Sequence, residues 1–210
     1  VKLISKNDFI GAEEAFRRAL AIDKMNLTAA FNLASVYLQN NKNNEAITLL
    51  SSYISQYPKD AGLYARLGDA YFAAKKITQA KPQYEKALSI DPSYLGVTAK
   101  LATIYSMENN LVKAEDMLLK AISEEPKNGQ LLVNLSAVFL AAQKPQDAVS
   151  AAKRALQVSP SSEVYITLGT AYRQLKDYEN SLIAFQRAKD LGDTRPELQK
   201  LIDEVKDIRG

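Results

Sequence analysis

The chain has no cysteine and no histidine. The first absence excludes disulfides and thiolate metal sites, and it suits cytoplasm and periplasm equally. The second removes the commonest general base and metal ligand, so catalysis would fall to carboxylates, Lys, Tyr or Ser alone. The adjacent acids Glu13-Glu14 and Glu124-Glu125 do not supply a pair, because consecutive helix residues point about 100° apart; they read as solvated surface. The 8 glycines stand singly, and none opens a phosphate-cradling loop. No Pro/Ser/Gly-rich linker or low-complexity tract divides the chain, and nothing resembles a signal peptide. Its longest apolar stretch, Leu131 to Ala142, falls short of the roughly 18 residues that span a bilayer. The net charge is +3, scattered with no basic stripe for a phosphate backbone. Catalytic, cofactor-binding and metal residues are therefore all expected to be absent.

What the chain does have is a period. Prolines 58, 92, 126 and 160 stand 34 residues apart, as do Ala46, Ala80, Ala114 and Ala148, and Leu33, Leu67, Leu101 and Leu135. Within residues 61–94, Tyr64, Leu67, Gly68, Tyr71 and Ala74 share one helical face, and Ala80, Tyr84, Ala87 and Leu88 share another. Lys75-Lys76 breaks the pattern between them, so each unit is two helices, A and B. Pro92 then closes the unit, since proline lacks the N–H and clashes with a preceding turn. Gly68 and Ala80 are expected to let the two backbones approach where they cross. The aromatic column Tyr37, Tyr71, Tyr105, Phe139 and Tyr172 reads as core. A unit of this length cannot bury its own apolar face, so stacked neighbours supply the core.

The spacing Tyr64-x-x-Leu67-Gly68-x-x-Tyr71, followed by Ala80, Tyr84, Ala87 and Pro92, resembles the tetratricopeptide repeat. It recurs from Leu33-Ala34, from Leu101-Ala102 and from Leu135-Ser136, and a fifth copy from Leu168-Gly169 arrives one residue early. The resemblance implies an all-α, right-handed α-solenoid of helix–turn–helix repeats with a C-terminal capping helix. The whole of residues 1–210 is expected to be one such domain. Its divisions are a half repeat to 26, repeats at 27–60, 61–94, 95–128, 129–161 and 162–195, and a cap helix at 196–210. Half of the first repeat is missing and no initiator Met is present, which reads as an excised fragment or processed product. Its raw edge at Phe9 and Phe16 is expected to be sticky. In the cap helix, Leu198, Leu201, Ile202, Val205 and Ile208 form the apolar stripe, and Thr194-x-x-Glu197 suits a capping box. Pro82 is the local anomaly. It predicts a helix that starts late with Thr78 as its cap, or that kinks before Pro82.

In this family the A helices line the concave face, and the resemblance therefore implies a groove for a protein or peptide partner. By register its residues are Phe31, Asn32, Ser35 and Leu38; Arg66, Asp69 and Phe72; Lys100, Thr103 and Met107; Asn134 and Leu140; Thr170 and Arg173. The same register places Gly62, Ala65, Gly96 and Val133 outward. Asn32, Arg66, Lys100 and Asn134 form a polar ladder among mostly small apolar side chains. Some members hold a C-terminal carboxylate with a clamp of Lys, Asn and Arg from three A helices. Asn32 and Arg66 fit two of those places, but Gly62 stands where a Lys belongs, and one repeat along Phe31 and Ser35 stand in the first pair's places, so the clamp does not carry over. The expected function is a non-catalytic interaction scaffold, with self-assembly into homo-oligomers through the N-terminal edge as the alternative. RNA binding by related helical pairs would want a more polar and basic surface.

Overall fold

A computed structural model describes residues 9–209, and among them every regular element is an α-helix. The helices are α1 (Phe9–Ile22), α2 (Leu27–Gln39), α3 (Asn43–Ile54), α4 (Ala61–Ala73), α5 (Ile77–Ile90) and α6 (Val97–Met107). They continue as α7 (Leu111–Glu124), α8 (Gly129–Ala141), α9 (Pro145–Val158), α10 (Ser162–Gln174), α11 (Tyr178–Asp190) and α12 (Pro196–Arg209). The chain divides into two compact units, one ending at Val97 and one beginning at Thr98. In the first, α1 to α5 each pack on their sequence neighbours, and α2 also meets α4. In the second, α7 to α12 pack in sequence and α8 meets α10. This is the solenoid rule, in which each element touches only what is next to it in the repeat.

The turn from helix A to helix B is built the same way five times. Asn41, Lys75, Asn109, Gln143 and Lys176 all have φ between 56° and 62°. The residue after each donates its N–H to the carbonyl of the aromatic column, Lys42 to Tyr37 at 2.8 Å, Lys76 to Tyr71 at 2.9 Å and Lys144 to Phe139 at 2.8 Å. Asn41 N donates to Leu38 O at 3.1 Å, which completes a Schellman motif. The residue whose N–H bonds back to the aromatic carbonyl is also the N-cap of helix B. Asn110 and Asp177 accept from the N–H three residues on, whereas Lys42, Lys76 and Lys144 give no side-chain cap. Two of these lysines pair elsewhere, Lys42 with Glu13 at 2.7 Å and Lys144 with Glu115 at 2.8 Å.

Most A helices start at a short polar side chain, which stands one or two residues after the proline at Asp60, Asn128 and Ser161 and without a proline at Asn26. Asn26, Asp60, Asn128 and Ser161 accept from backbone N–H groups of the first turn. Tyr94 holds the equivalent place in the next repeat and has no such acceptor to offer. The chain there makes an Asp91–Ser93 turn, passes through Gly96 at φ 78° and enters α6 only at Val97. Gly96 therefore lies in a turn and not on a helix face. Ser161 comes one residue earlier than this spacing, which shortens the turn before α10.

Three local expectations change. Helix α5 begins at Ile77 with Lys76 at its N-cap, so Thr78 is inside the helix and Pro82 is its sixth residue. The Schellman turn sets that start, because Lys76 already bonds Tyr71. Helix α12 begins at Pro196, which puts Arg195 and not Thr194 before the first helical residue; proline is pre-set for that first position. Finally, Gly68 serves a side chain and not a close backbone crossing. An added Cβ would lie 2.6 Å from the Tyr84 ring, and at Gly169 one would lie 2.6 Å from the Phe185 ring.

The core follows from these columns. In the first unit, Leu33, Tyr37, Leu50, Tyr53, Leu63 and Leu67 form one buried cluster with the small residues Ala30, Ala34, Ala46 and Ala70. In the second, Phe185 and Ala188 pack against Leu198, Ile202 and Val205 of the cap helix. Burying a side chain such as Phe185 is worth about 1.5–3 kcal/mol. Buried serines tie helix A to helix B. Ser136 Oγ donates to Ala148 O at 2.7 Å, and Ser181 Oγ donates to Gly169 O at 2.8 Å.

Candidate functional site

The A-helix face of the first unit is organised around Arg66. Its guanidinium lies over the Phe31 ring, 4.6 Å from the centroid, and Nη1 donates to Ser35 Oγ at 3.3 Å. Ser35 Oγ donates in turn to Phe31 O at 3.0 Å. These contacts hold α4 against α2 and fix the guanidinium plane, while the buried Nε has no hydrogen-bond partner. Gly62 makes room beside them, since a Cβ there would lie 3.2 Å from Tyr94 Oη and 3.6 Å from Phe31 Cζ. Asn32, Leu38 and Phe72 are half-buried on the same face. Asp69 accepts from Tyr84 Oη at 2.7 Å, so this carboxylate serves the A–B contact. Burial and the Asp69 carboxylate together push the Tyr84 phenol well up, which keeps it a donor.

On the second unit the polar candidates are mostly satisfied within their own helices. Thr103 Oγ1 donates to Ala99 O at 3.1 Å, and Thr170 Oγ1 donates to Ile166 O at 2.8 Å. Asn134 Oδ1 accepts from Gln130 Nε2 at 3.2 Å. Arg173 is tied to Glu204 of the cap helix, Nη1 to Oε2 at 2.6 Å, and so holds α12 in place. Lys100 and Met107 are exposed, Met107 to 64%, and Leu140 is half-buried. Ala65 and Val133, expected outward, are only 4% and 5% exposed and belong to the core. Helix packing covers these two positions more fully than a simple face register allows.

The register also passes over a cavity of about 310 Å³ lined by α6, α7 and α8. Leu118 and Val138, both buried, are among its lining residues, as are Ala137, Ala141, Ser106 and Asn134. Its origin is legible in one column of the repeat. Leu38, Phe72, Leu140 and Arg173 place a long side chain there, and Ser106 places a short one. Comparing the repeats with one another would have found it; reading each face as a list of contacts did not. No group of three or more His, Cys, Asp or Glu that could hold a metal ion occurs among the described residues. No helix among them is long and apolar enough to cross a membrane.

Comparison with known proteins agrees with this geometry. A tetratricopeptide repeat profile matches residues 3–71 and 71–137, and a second matches residues 134–196. The chain is similar to BBSome complex member BBS4 of Xenopus tropicalis, 31% identical over 86 residues, which is 41% of this chain and 17% of that protein. Among solved structures, YrrB, described as a tetratricopeptide protein with an unusual peptide-binding site, covers 93% of this chain and 99% of its own, with a TM-score of 0.79 at 18% identity. MamA covers 74% of this chain and 91% of its own, with a TM-score of 0.68 at 25% identity. A MamA fragment from Desulfovibrio magneticus RS-1 covers 83% and 98%, with a TM-score of 0.76 at 15% identity. With the profile matches spanning most of its length and its helix pairs and turns repeating in that pattern, the chain belongs to the tetratricopeptide repeat family.

Proposed function

We propose that this chain is a non-catalytic interaction scaffold that takes an extended or helical segment of a partner protein on its A-helix faces. The observation that carries the reading is the composition of those faces. Phe31, Leu38, Phe72, Met107 and Leu140 remain half-buried or exposed there, among hydroxyls that have spent their donors on their own helices. Such a surface rewards apolar contact and backbone hydrogen bonding more than charge. The family is in general a protein-interaction fold, and YrrB is described as binding peptide; both support the reading. Arg66, held flat by Phe31 and Ser35, is the group that orients an acidic or carbonyl function of the segment. Selection from a random-peptide display library against the whole chain tests this. Enriched peptides whose binding falls on Phe72→Ala and not on Glu85→Ala support it, and failure to enrich any sequence contradicts it.

A further inference from the structure

The cavity at Ser106 differs from the rest of the A-helix face in being a hole and not a contact. We propose that it is a side-chain pocket that selects one uncharged aliphatic residue of the partner segment, with Ser106 as the specificity-determining residue. The proposal rests on the peptide-binding reading above and states what that peptide must carry.

Size, wall and rim each point to this occupant. At about 310 Å³ the space matches the small end of ligand pockets and exceeds the share of a single water, about 30 Å³, many times over. Its wall is formed by Leu118, Val138, Ala137 and Ala141, and no ionised side chain lines it. A charged occupant would lose its hydration there and find no counter-charge, so the pocket discriminates by charge as well as by shape. The rim is polar in one particular sense. Ser106 Oγ donates to Ala102 O at 2.9 Å and Thr103 Oγ1 donates to Ala99 O at 3.1 Å, which leaves both hydroxyls lone pairs with which to accept. Asn134 Oδ1 accepts from Gln130, which leaves the Nδ2 hydrogens to donate. Acceptors for an N–H and a donor for a C=O beside an apolar hole are the complement of one aliphatic residue in a peptide. Ser106 decides the matter because a leucine there, as at Leu38 and Leu140 in the same column, would fill the opening from its own wall.

The test uses the whole chain, ¹⁵N-labelled, and two blocked amino acids as probes, N-acetyl-leucine N-methylamide and N-acetyl-lysine N-methylamide. The expected result is saturable amide shifts at Ser106, Asn109, Ala137 and Ala141 with the leucine probe, and at least tenfold weaker binding of the lysine probe. Ser106→Leu should weaken the leucine probe at least tenfold, and Ser106→Ala should leave it within about twofold. If Ser106→Leu does not fold, Ala141→Met, at an exposed position on the opposite wall, narrows the same opening and should give the same loss. Shifts spread over the surface without saturation, equal binding of both probes, or unchanged binding in the filled variant would overturn the proposal. Peptide display separates this failure from failure of the function. Peptides that enrich on wild type and on Ser106→Leu with the same sequence preference leave the scaffold standing and remove the pocket.

Discussion

Single residues in this chain are matched to one another at a distance that the repeat sets. Gly68 lies against Tyr84 and Gly169 against Phe185, and at the same sixteen-residue spacing Ala34 stands with Leu50 and Ala102 with Leu118, so the sizes trade. Gly68→Ala should therefore destabilise by about 1–3 kcal/mol through overpacking, and Tyr84→Leu in the same chain should recover part of that loss. Urea unfolding of the single and double variants measures it, and additive losses would deny the coupling. Asp193 offers a second test. Its carboxylate accepts from Arg195 N at 3.1 Å and pairs with the guanidinium, which hold its pKa down at about 2, with Ser162 adding to the effect. A carboxylate lowered in the folded state stabilises at neutral pH, and that contribution is lost as pH falls from the ordinary Asp range through about 2. Asp193→Asn should remove this part of the acid dependence and leave the remainder, as read from thermal midpoints between neutral and low pH.

At the scale of the element, the turns leave stability unclaimed. Gln143 sits at φ 57° and Lys75 at φ 59°, where an L side chain costs about 1–2 kcal/mol and glycine costs little. Gln143→Gly should therefore raise stability by up to about 1 kcal/mol, since the folded strain removed exceeds the added freedom of the unfolded chain. Lys76 caps α5 with no side-chain bond, and its Nζ donates to Asn44 Oδ1 at 3.1 Å. Lys76→Asp should add about 1 kcal/mol by capping as Asp177 does. Pro82 is the larger reserve. It lacks the N–H that would bond Thr78 O, so Pro82→Ala should stabilise α5 by as much as about 3 kcal/mol, visible as a rise in the denaturation midpoint without change in slope. A fall in stability would mean that the proline is compensated by packing.

Over the whole molecule, helix number and order were legible because the 34-residue step repeats both apolar faces and closes four of the five pairs with proline. Of the left-handed turn residues, Asn41 and Asn109 are of a type that tolerates positive φ, whereas Lys75, Gln143 and Lys176 give no sign of it and adopt it with the Schellman bonding. The start of α5 was misread for a related reason, as a propensity argument at Pro82 lost to the turn that precedes it. On the candidate site, register placed Phe31, Ser35 and Arg66 on one face, where the structure joins them. It could not show that Asp69 is engaged by Tyr84 or Arg173 by Glu204, because those partners come from other helices. It also left the Ser106 cavity unseen, because an absent side chain has no signature within its own repeat. The most direct test of the scaffold reading is a calorimetric titration of a display-selected peptide into wild type, Phe72→Ala and Glu85→Ala, at low ionic strength and at about 0.15 M salt. Affinity should change only a few-fold with salt, fall at least tenfold in Phe72→Ala and stay unchanged in Glu85→Ala. Collapse of binding with salt, or equal losses in the two variants, would contradict the scaffold reading.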